Sequence, residues 1–384
     1  MSVADVLVIG AGPAGAAAAT HLARAGLRVT VVERARLPRP KTCGDALSNL
    51  ALEELRDLGV SAIANGTPVL TARALFPSGY SVSRSYQHQP GAIVPRLTLD
   101  ALIAERAVAA GATLLEETRA ISVKRDEGPL APLRLRIKQG GAERTLAGRV
   151  VIAADGPGSV GWRLLGCERP RASSLGIAVT GYYGGVQVEE AGVSEHHFAR
   201  EIPYGYYWVF PEVNGEANVG VYQRVDAYKR SGARLEARLE AFVQARPQRF
   251  RGAKLTSALK SWQLPISSFR LPPAGPGLLC VGDAAHSVDA LTGEGIYQAL
   301  YSGRLAAEVI RASLNQDGCL TARAARRFQA RLARAIHLPQ AARREIQRGI
   351  TQVVERGLER RRVVQQLLEL GYGGGALELT KRVS

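Results

Sequence analysis

The sequence has 384 residues, of which 46% are hydrophobic and 22% charged, and its formal net charge is +16. These values predict a globular chain of two or three structural units and exclude extensive disorder. No stretch approaches the roughly 20 uninterrupted apolar residues of a membrane-spanning helix. The chain opens on a strand-like run without a basic leader, so we expect a cytoplasmic protein.

The cysteine and histidine positions give no sign of a metal site. The four cysteines, at positions 43, 167, 280 and 319, are too far apart for a C-x-x-C pair, and we expect free thiols. His196 and His197 are adjacent, so on a strand they would point to opposite faces and could not share a metal ion. We therefore expect no metal.

The first elements are predicted to be a strand, a helix and a strand. The apolar run at residues 5–9 has the pattern of a buried parallel strand. An alanine-rich run follows, which favours a helix that Gly26 ends, and residues 27–33 form a second strand-like run. This order over about 30 residues is typical of a βαβ unit.

A glycine pattern occupies the turn between this strand and helix. Gly10, Gly12 and Gly15, with Ala14 among them, form G-x-G-x-x-G. The first glycine permits a tight turn, the second a close approach to a pyrophosphate, and the third close packing of helix and strand. Glu33 ends the second strand, where a carboxylate can hydrogen-bond a ribose hydroxyl. Together these features predict a dinucleotide site.

Further elements follow in chain order. The patterns predict a helix at 48–58, β structure at 67–93, an amphipathic helix at 98–110 with Thr98 as its N-cap, two strands at 113–146, a buried strand at 149–154, β structure at 176–224, a helix at 233–245, a buried strand at 278–281 and a helix at 295–313. The rest is mostly helical and basic, with 14 Lys and Arg against five Asp and Glu from Thr321 onward. Such a run is either a solvated helical face or a surface for an anionic partner.

Two acidic residues stand directly after predicted strands. Asp155 and Gly156 follow the strand at 149–154, and Gly282 and Asp283 follow the strand at 278–281. A carboxylate in this place can bind a ribitol hydroxyl, and the helix that begins near residue 293 can turn its N-terminus toward a flavin or a pyrophosphate. This arrangement favours FAD, because a flavin needs a second contact far along the chain. The alternative for Asp283 is an ordinary helix N-cap.

These segments resemble the motifs of the flavoprotein hydroxylase superfamily. GAGPAG with Glu33 and Arg34 resembles its first FAD motif, ADGPGSV at Asp155 its middle motif, and CVGDAAH at Asp283 its second FAD motif. Arg96 matches the arginine that lies near the flavin, at the start of a helix, in that superfamily. The resemblance implies one Rossmann domain that carries FAD.

Within this superfamily the sequence resembles the geranylgeranyl reductase family in three segments. They are KTCGDALS with Lys41, Cys43 and Gly44, the aromatic run YGYYWVFP from Tyr204, and LTGEGIYQALYSG with Gly293, Gly295 and Ile296. The likeness extends over about residues 3–312. It implies reduction of isolated carbon–carbon double bonds in isoprenoid chains, with hydride from reduced FAD and an apolar substrate such as a prenyl lipid.

The resemblance also gives four candidate catalytic residues: Cys43, Tyr206, Trp208 and His286. The alternatives are an inert buried thiol for Cys43, core packing for the aromatic strand and a simple helix-start position for His286. A second G-x-G-x-x-G is absent from the sequence. The reductant is therefore either NAD(P)H, bound transiently in the same cleft, or a separate electron donor.

Two positions depart from the reductase pattern. His286 is more typical of hydroxylating relatives, and Ala290 stands where many relatives have proline. A second hypothesis is therefore an FAD-dependent monooxygenase or, with less support, a halogenase. A third is a non-catalytic flavin-binding accessory protein that docks on a partner through the basic C-terminal helices.

We therefore expect an α/β chain, α+β overall, in three parts. They are a Rossmann-type FAD-binding domain at residues 1–66, 96–172 and 272–320, a β-sheet-based substrate domain at 67–95 and 173–271, and a basic helical segment at 321–384.

In the basic segment, Phe328, Leu332 and Ile336 recur every four residues, a stripe that we expect to dock on the FAD-binding domain. The arginines beside it could contact anionic lipid at the inner membrane face. We expect no nucleic acid partner.

Overall fold

The computed structural model describes residues 3–86, 88–128, 131–212, 215–266 and 271–372. Its strands are β1 Ala4–Ile9, β2 Val29–Val32, β3 Ala46–Leu47, β4 Thr67–Val69, β5 Thr71–Leu75, β6 Ser81–Ser85, β7 Gly91–Ile93, β8 Thr113–Leu115, β9 Thr118–Arg125, β10 Leu133–Gln139, β11 Ala142–Ala153, β12 Leu175–Gly184, β13 Val193–His197, β14 Gly205–Pro211, β15 Glu216–Arg224, β16 Lys254–Leu255, β17 Lys260–Pro265, β18 Ala274–Gly275 and β19 Leu278–Cys280. Its helices are α1 Pro13–Arg24, α2 Asn49–Asp57, α3 Arg96–Ala109, α4 Gly161–Leu164, α5 Val225–Ser231, α6 Leu235–Gln244, α7 Pro247–Phe250, α8 Ile296–Asp317, α9 Ala322–Leu332, α10 Leu338–Glu355 and α11 Arg362–Tyr372.

The first sheet has the strand order β18-β19-β11-β1-β2-β8, and β10 and β9 extend it from β11. Its centre is β1, which pairs in parallel with β11 on one side and β2 on the other. Residues 5–9 of β1 are all buried, because both faces of the strand are covered. This is why the strand reads as a continuous apolar run rather than an alternating one. The expected α/β class with a Rossmann-type fold is confirmed.

Helices α1 and α8 pack against each other and against this sheet. The contact is close because both helices carry small residues at it. A Cβ atom added to Gly303 of α8 would lie 2.3 Å from the carbonyl oxygen of Ala14 in α1. The alanine-rich composition of α1 therefore does more than favour a helix, since it lets two helix backbones meet.

The second sheet has the order β16-β12-β15-β14-β13-β5-β6, and β17 also pairs with β12. Strand β14 is buried along its whole length. Tyr206, Trp208 and Phe210 belong to one apolar cluster. Tyr207 and Val209 belong to another, which includes α6. The alternation is that of a strand covered on both faces. The two adjacent histidines of β13 follow the same rule, because His196 packs on Tyr206 and His197 on Phe242.

A third, small sheet has the order β3-β7-β4. Near it, α2 and α3 share a core with α8, formed by residues that include Leu52, Leu55, Leu99, Ile103 and Leu300. This core fixes the segment around Cys43, which packs against it.

The C-terminal segment is helical where the structure describes it. A π-helical turn at Ala333–His337 connects α9 to α10. Phe328, Leu332 and Ile336 are buried in the core of the first sheet, which confirms that this stripe docks there. Residues 373–384 of the predicted basic segment lie outside the described residues. Among the described helices none is long and apolar enough to cross a membrane.

The expected N-cap of the third helix is wrong. Helix α3 begins at Arg96, after Pro95, and Thr98 lies inside its first turn. The backbone N–H of Arg96 donates instead to Oδ1 of Asp45 at 3.1 Å. The cap comes from a residue 51 positions earlier in the chain, so local spacing could not reveal it.

The contact between α1 and α8 gives a stability prediction. Gly303→Ala should lower the free energy of unfolding by about 1–3 kcal/mol, because the new methyl group must push the two backbones apart. Gly349 of α10 is the matched control, since it is exposed and no atom lies within 4 Å of its Cβ position. Gly349→Ala should instead stabilise the helix by up to about 1 kcal/mol. Urea unfolding measures the free energy of unfolding of both variants. Equal changes would contradict the close contact between the backbones of α1 and α8.

Candidate functional site

The glycine turn between β1 and α1 has open space on one side only. A Cβ atom at Gly10, whose φ is +98°, would lie 2.5 Å from the carbonyl oxygen of Ala154, and one at Gly15 would lie 2.0 Å from that of Gly10. At Gly12 the nearest atom would be 3.9 Å away, on Arg39. Gly12 therefore borders the empty volume at the N-terminus of α1, where a pyrophosphate would fit.

Glu33 fastens this turn to the end of β2. Its carboxylate accepts hydrogen bonds from the backbone N–H groups of Ala11, at 2.8 Å, and Ala35, at 3.1 Å. The next side chain, Arg34, is exposed and lies close enough to Asp155 to act on its charge. Burial raises the pKa of Asp155, and the positive charge of Arg34 opposes that rise.

Asp155 and Gly156 lie beside the glycine turn, as expected for the carboxyl end of a neighbouring strand. The Cβ position of Gly10 is 3.3 Å from the Cα atom of Asp155. One oxygen of the Asp155 carboxylate accepts a hydrogen bond from the backbone N–H of Val160 at 2.8 Å. The same carboxylate thus shapes its own loop, while Gly156 supplies the positive φ of +77° that the turn needs.

The segment that follows β19, with Gly282 and Asp283, lies at the same edge of the first sheet. The Cβ position of Gly282 lies 3.0 Å from the Cβ atom of Ala14 in α1. Asp283 Oδ1 lies 3.5 Å from the Cβ position of Gly295, the residue that precedes α8. The alternative reading of Asp283 as the N-cap of this helix is therefore wrong, because Gly295 occupies that position. Ile296 begins α8 and turns its side chain into the core.

A group of charged residues lies between this edge and the second sheet. Arg96 forms a bidentate ion pair with Asp100, at 2.6 and 2.9 Å. Burial raises the pKa of Asp283, and the charges of Lys41 and Arg96 oppose the rise. Burial lowers the pKa of Lys41 itself to about 7, and its ammonium lies 3.4 Å from the ring centre of Trp262. Arg96 thus brings a permanent positive charge to the place where the sequence predicts the flavin, whereas Lys41 is only partly charged at neutral pH.

The loop with Cys43 and Gly44 lies directly under the aromatic strand. The Cβ position of Gly44 is 3.2 Å from Phe210 and 3.3 Å from the indole nitrogen of Trp208. Trp208 is 4% exposed, so it supports this loop rather than facing open space. Cys43 is half-buried, and burial raises the pKa of its thiol. The structure thus brings two of the candidate catalytic residues, Cys43 and Trp208, together.

His286 lies elsewhere. Its ring stands edge-on to Trp162, with 4.8 Å between ring centroids, and Trp162 belongs to the core of the first sheet. His286 has a positive φ of 56° and ends the short turn that contains Asp283. The contact with Trp162 gives this side chain a packing role at the first sheet.

The segment between Asp289 and Gly293 is held by the second sheet and by α10 together. The buried Asp289 forms an ion pair with Arg343 of α10. The carbonyl oxygen of Ala290 accepts hydrogen bonds from Tyr222 and from Gln347 of α10. The hydroxyl of Tyr206 donates to the carbonyl oxygen of Thr292. We name this segment the 289–293 loop.

A narrow cleft lies between the second sheet, the 289–293 loop and α10. Its apolar lining includes Phe198, Ile202, Tyr206, Leu291, Ile350 and Val354. Of the aromatic residues predicted on β14, Tyr206 lines this cleft. The cleft thus has a mainly apolar lining beside the loop that leads into α8.

Sequence reasoning missed three residues around the Cys43 loop. Asp45, Tyr182 and Asn218 come from separate segments and meet there through hydrogen bonds. One signal was available, because Asp45 directly follows the Lys-x-Cys-Gly segment. The other two stand in strands with no spacing that links them to it.

The fold and the arrangement of these groups define an FAD-dependent oxidoreductase. The family model described as an FAD binding domain matches residues 3–331, and the chain belongs to this family. The residues present fit the cofactor, since Gly12 leaves free space at the N-terminus of α1 and Asp283 carries a half-buried carboxylate just after β19.

Named relatives share most of their length with this chain. It is 34% identical over 318 residues to menaquinone reductase of Mycolicibacterium smegmatis, covering 80% of this chain and 76% of that protein. It is 30% identical over 323 residues to digeranylgeranylglycerophospholipid reductase of Thermoplasma volcanium, covering 83% and 80%.

Among solved structures, a geranylgeranyl bacteriochlorophyll reductase-like protein of Thermoplasma acidophilum shares the fold with a TM-score of 0.83 and 24% identity, over 99% of both chains. A flavin-dependent halogenase shares it with a TM-score of 0.72 and 23% identity, over 87% of this chain and 62% of the halogenase. Both likenesses concern the fold.

The open space at Gly12 gives a direct test of cofactor binding. Gly12→Val should abolish FAD binding and leave the free protein folded, because the side chain fills space that only the cofactor would occupy. Flavin absorbance after reconstitution and the melting temperature of the apoprotein measure the two effects. Gly349→Val is the control and should keep its flavin. Wild-type flavin content in Gly12→Val would show that the pyrophosphate lies elsewhere.

Proposed function

We propose that this protein reduces carbon–carbon double bonds of a prenyl lipid. The observation that carries the proposal is the apolar lining of the narrow cleft between the start of β14, the 289–293 loop and α10. A prenyl chain has no groups that could use a polar pocket, and such a lining matches it. Relatives named menaquinone reductase and digeranylgeranylglycerophospholipid reductase support the same class of substrate.

In this proposal the first sheet and its helices hold FAD. Gly12 and the N-terminus of α1 bind the pyrophosphate, Glu33 faces the ribose, and Asp283 binds the ribitol. The backbone that leads into α8, at Gly293 and Gly295, faces the ring. When it is bound and reduced, FAD supplies a hydride. The second sheet and the cleft then form the substrate side.

The chain's own side chains orient the substrate and exclude water. Tyr206 and Leu291 lie where the cleft meets the 289–293 loop, so they position the double bond nearest the flavin. Trp208 acts indirectly by supporting Gly44 from below. Cys43, half-buried in that loop, keeps its proton because burial raises its pKa. Reductant comes as NAD(P)H in the same cleft or from a separate donor.

An anaerobic assay tests the reaction class. The FAD-loaded protein, chemically reduced and given a prenyl quinone or a prenyl glycerolipid, should yield product heavier by two hydrogens per double bond. Mass spectrometry measures the gain. A product that gains one oxygen, and only when oxygen is present, would establish the monooxygenase instead. The position of His286 against Trp162 gives that alternative no added support.

A pair of isoleucines on α10 tests the cleft itself. Ile350 lines the cleft, whereas Ile346 is 48% exposed on the same helix. Ile350→Trp should raise KM for a long prenyl substrate about tenfold or more, which corresponds to the loss of roughly 1.4 kcal/mol of binding. Ile346→Trp should leave KM unchanged. Equal KM values in both variants would place the substrate outside this cleft.

We also propose that α11 contacts the lipid surface from which the substrate comes. Val363, Leu367 and Leu370 are 68%, 63% and 63% exposed, and their spacing puts them on one helix face. Arg360, Arg361 and Arg362 stand at the start of this helix. An exposed apolar stripe beside arginines fits the boundary between the acyl chains and the headgroups of an anionic bilayer.

The arginines near the docked stripe are less suited to this contact than the sequence suggested. Arg343 pairs with Asp289, Arg331 pairs with Glu308, and Arg344 donates to the carbonyl oxygen of Ser173. The opposite side of α11 is fixed to β6 and its turn, because the hydroxyl of Tyr80 hydrogen-bonds the carbonyl oxygen of Gln365 at 3.2 Å and Glu369 at 3.0 Å. The apolar face of α11 is therefore presented outward.

Vesicle co-sedimentation tests this surface. The wild type should bind vesicles with anionic lipid, more weakly at high salt, and should not bind neutral vesicles. Leu367→Asp should abolish binding. Leu271→Asp is the matched control, since Leu271 is 62% exposed at another position, and it should bind as the wild type does. Binding that survives Leu367→Asp would contradict the role of α11.

A further inference from the structure

Arg39 lies on the open side of the glycine turn between β1 and α1. The Cβ position of Gly12 faces free volume, and the nearest atom to it is Nη2 of Arg39, 3.9 Å away. The Arg39 side chain is 16% exposed, so most of it lies inside the protein. It belongs to the segment between β2 and β3, outside the glycine motif. The fold therefore brings a cation from another part of the chain to the space where a pyrophosphate fits.

Two acids hold the guanidinium group of Arg39 in place. Its Nε atom lies 3.4 Å from Oε1 of Glu33, and its Nη1 atom lies 3.1 Å from Oδ2 of Asp100. The third nitrogen is Nη2, and none of the described residues accepts a hydrogen bond from it. Because acids fix two of the nitrogens, the third is placed beside Gly12 before any ligand binds. Little side-chain freedom is then lost on binding.

Both acids have other partners, so their positions do not depend on Arg39. Glu33 accepts hydrogen bonds from two backbone N–H groups, at 2.8 and 3.1 Å. Asp100 is fully buried and accepts two hydrogen bonds from Arg96. Loss of the Arg39 side chain would therefore leave neither carboxylate without a donor.

The charges of the site require a cation at this place. Both phosphates of FAD carry negative charge, and the N-terminus of a helix contributes only about half a positive charge. The first turn of α1, from Pro13 to Ala16, consists of uncharged residues. The Glu33 carboxylate adds negative charge on the ribose side. Without a cation between them, Glu33 and the pyrophosphate would repel each other.

The neighbouring arginines are less suited to this contact. Arg34 and Arg36 are exposed, and the charge of Arg34 acts on Asp155. Arg96 already donates two hydrogen bonds to Asp100. Of these four arginines, Arg39 is the one that borders the free volume at Gly12.

We propose that Arg39 binds the pyrophosphate of FAD through Nη2, beside the N-terminus of α1. This inference rests on the placement of FAD in the proposed function and adds a charged contact to it. Glu33 and Asp100 are positioning residues, because they hold the guanidinium group at the edge of the free volume. An arginine in such a place donates a charge-assisted hydrogen bond, which is stronger than one from a neutral backbone N–H group.

The affinity of the full chain for FAD measures this contact. Arg39→Gln should raise the Kd for FAD about 10- to 100-fold, because the loss of one charge-assisted hydrogen bond has an effect of that size. Arg39→Lys should recover only part of the affinity, since an ammonium group cannot replace the planar guanidinium fork. Arg36→Gln is the matched control in the same segment and should keep the wild-type Kd. Ultrafiltration of the FAD-loaded protein at a series of concentrations gives each Kd.

Phosphorus-31 NMR of the FAD-loaded protein reports on the pyrophosphate directly. Each variant is saturated with FAD, so that a difference in affinity does not affect the comparison. The phosphorus resonances of bound FAD should shift in Arg39→Gln and should keep their wild-type positions in Arg36→Gln. If Arg39 only supports the fold, Arg39→Gln will lower the melting temperature and leave these resonances unchanged, which would overturn the inference.

Gly12→Val separates this inference from the placement of FAD. If Gly12→Val loses FAD while Arg39→Gln keeps the wild-type Kd and resonances, the inference about Arg39 is overturned and the placement stands. If Gly12→Val binds FAD as the wild type does, the pyrophosphate lies elsewhere and the proposed arrangement is wrong. Flavin loss in Gly12→Val, together with weaker binding and shifted resonances in Arg39→Gln, would support both.

Discussion

The buried carboxylate of Asp45 is the constraint on which the arrangement of the two large sheets depends. It accepts from Arg96 at the start of α3, and from Tyr182 and Asn218 in the second sheet. A buried charge without such partners would cost several kcal/mol, so these elements can separate only at that cost. One side chain therefore ties the start of α3 to the second sheet beside the Cys43 loop.

The cationic side chains around this carboxylate are paired with an acid or packed on an aromatic ring. Arg96 and Arg39 both pair with Asp100, and Lys41 lies against the ring of Trp262. The buried Asp100 thus holds the positive charges of Arg96 and Arg39 in place. In the proposed function a reduced flavin benefits from such fixed charges, because no side chain has to move when the charge of the ring changes.

Sequence patterns predict the parts of this protein that are encoded locally. The strand at β1, the glycine turn and the alanine-rich helix follow from periodicity and from close approach, and the docked stripe at Phe328 follows from its spacing. The cap of α3 and the Asp45 group could not be predicted in this way, since Asp45, Tyr182 and Asn218 are more than 30 residues apart and only the register of the strands brings them together. The wrong N-cap at Thr98 and the missed Asp45 have one cause, because the same long-range hydrogen bond explains both.

The hydrogen bond and the ion pair between α10 and the 289–293 loop restrict how this chain can diverge from its homologues. Gln347 bonds the backbone carbonyls of Ala290 and Tyr204, and a backbone carbonyl survives any substitution at those positions. Arg343 instead recognises the side chain of Asp289, which is fully buried. A chimera that exchanges the C-terminal helices between homologues should therefore keep positions 289 and 343 from the same parent, because a mismatch would leave a buried carboxylate without its ion-pair partner.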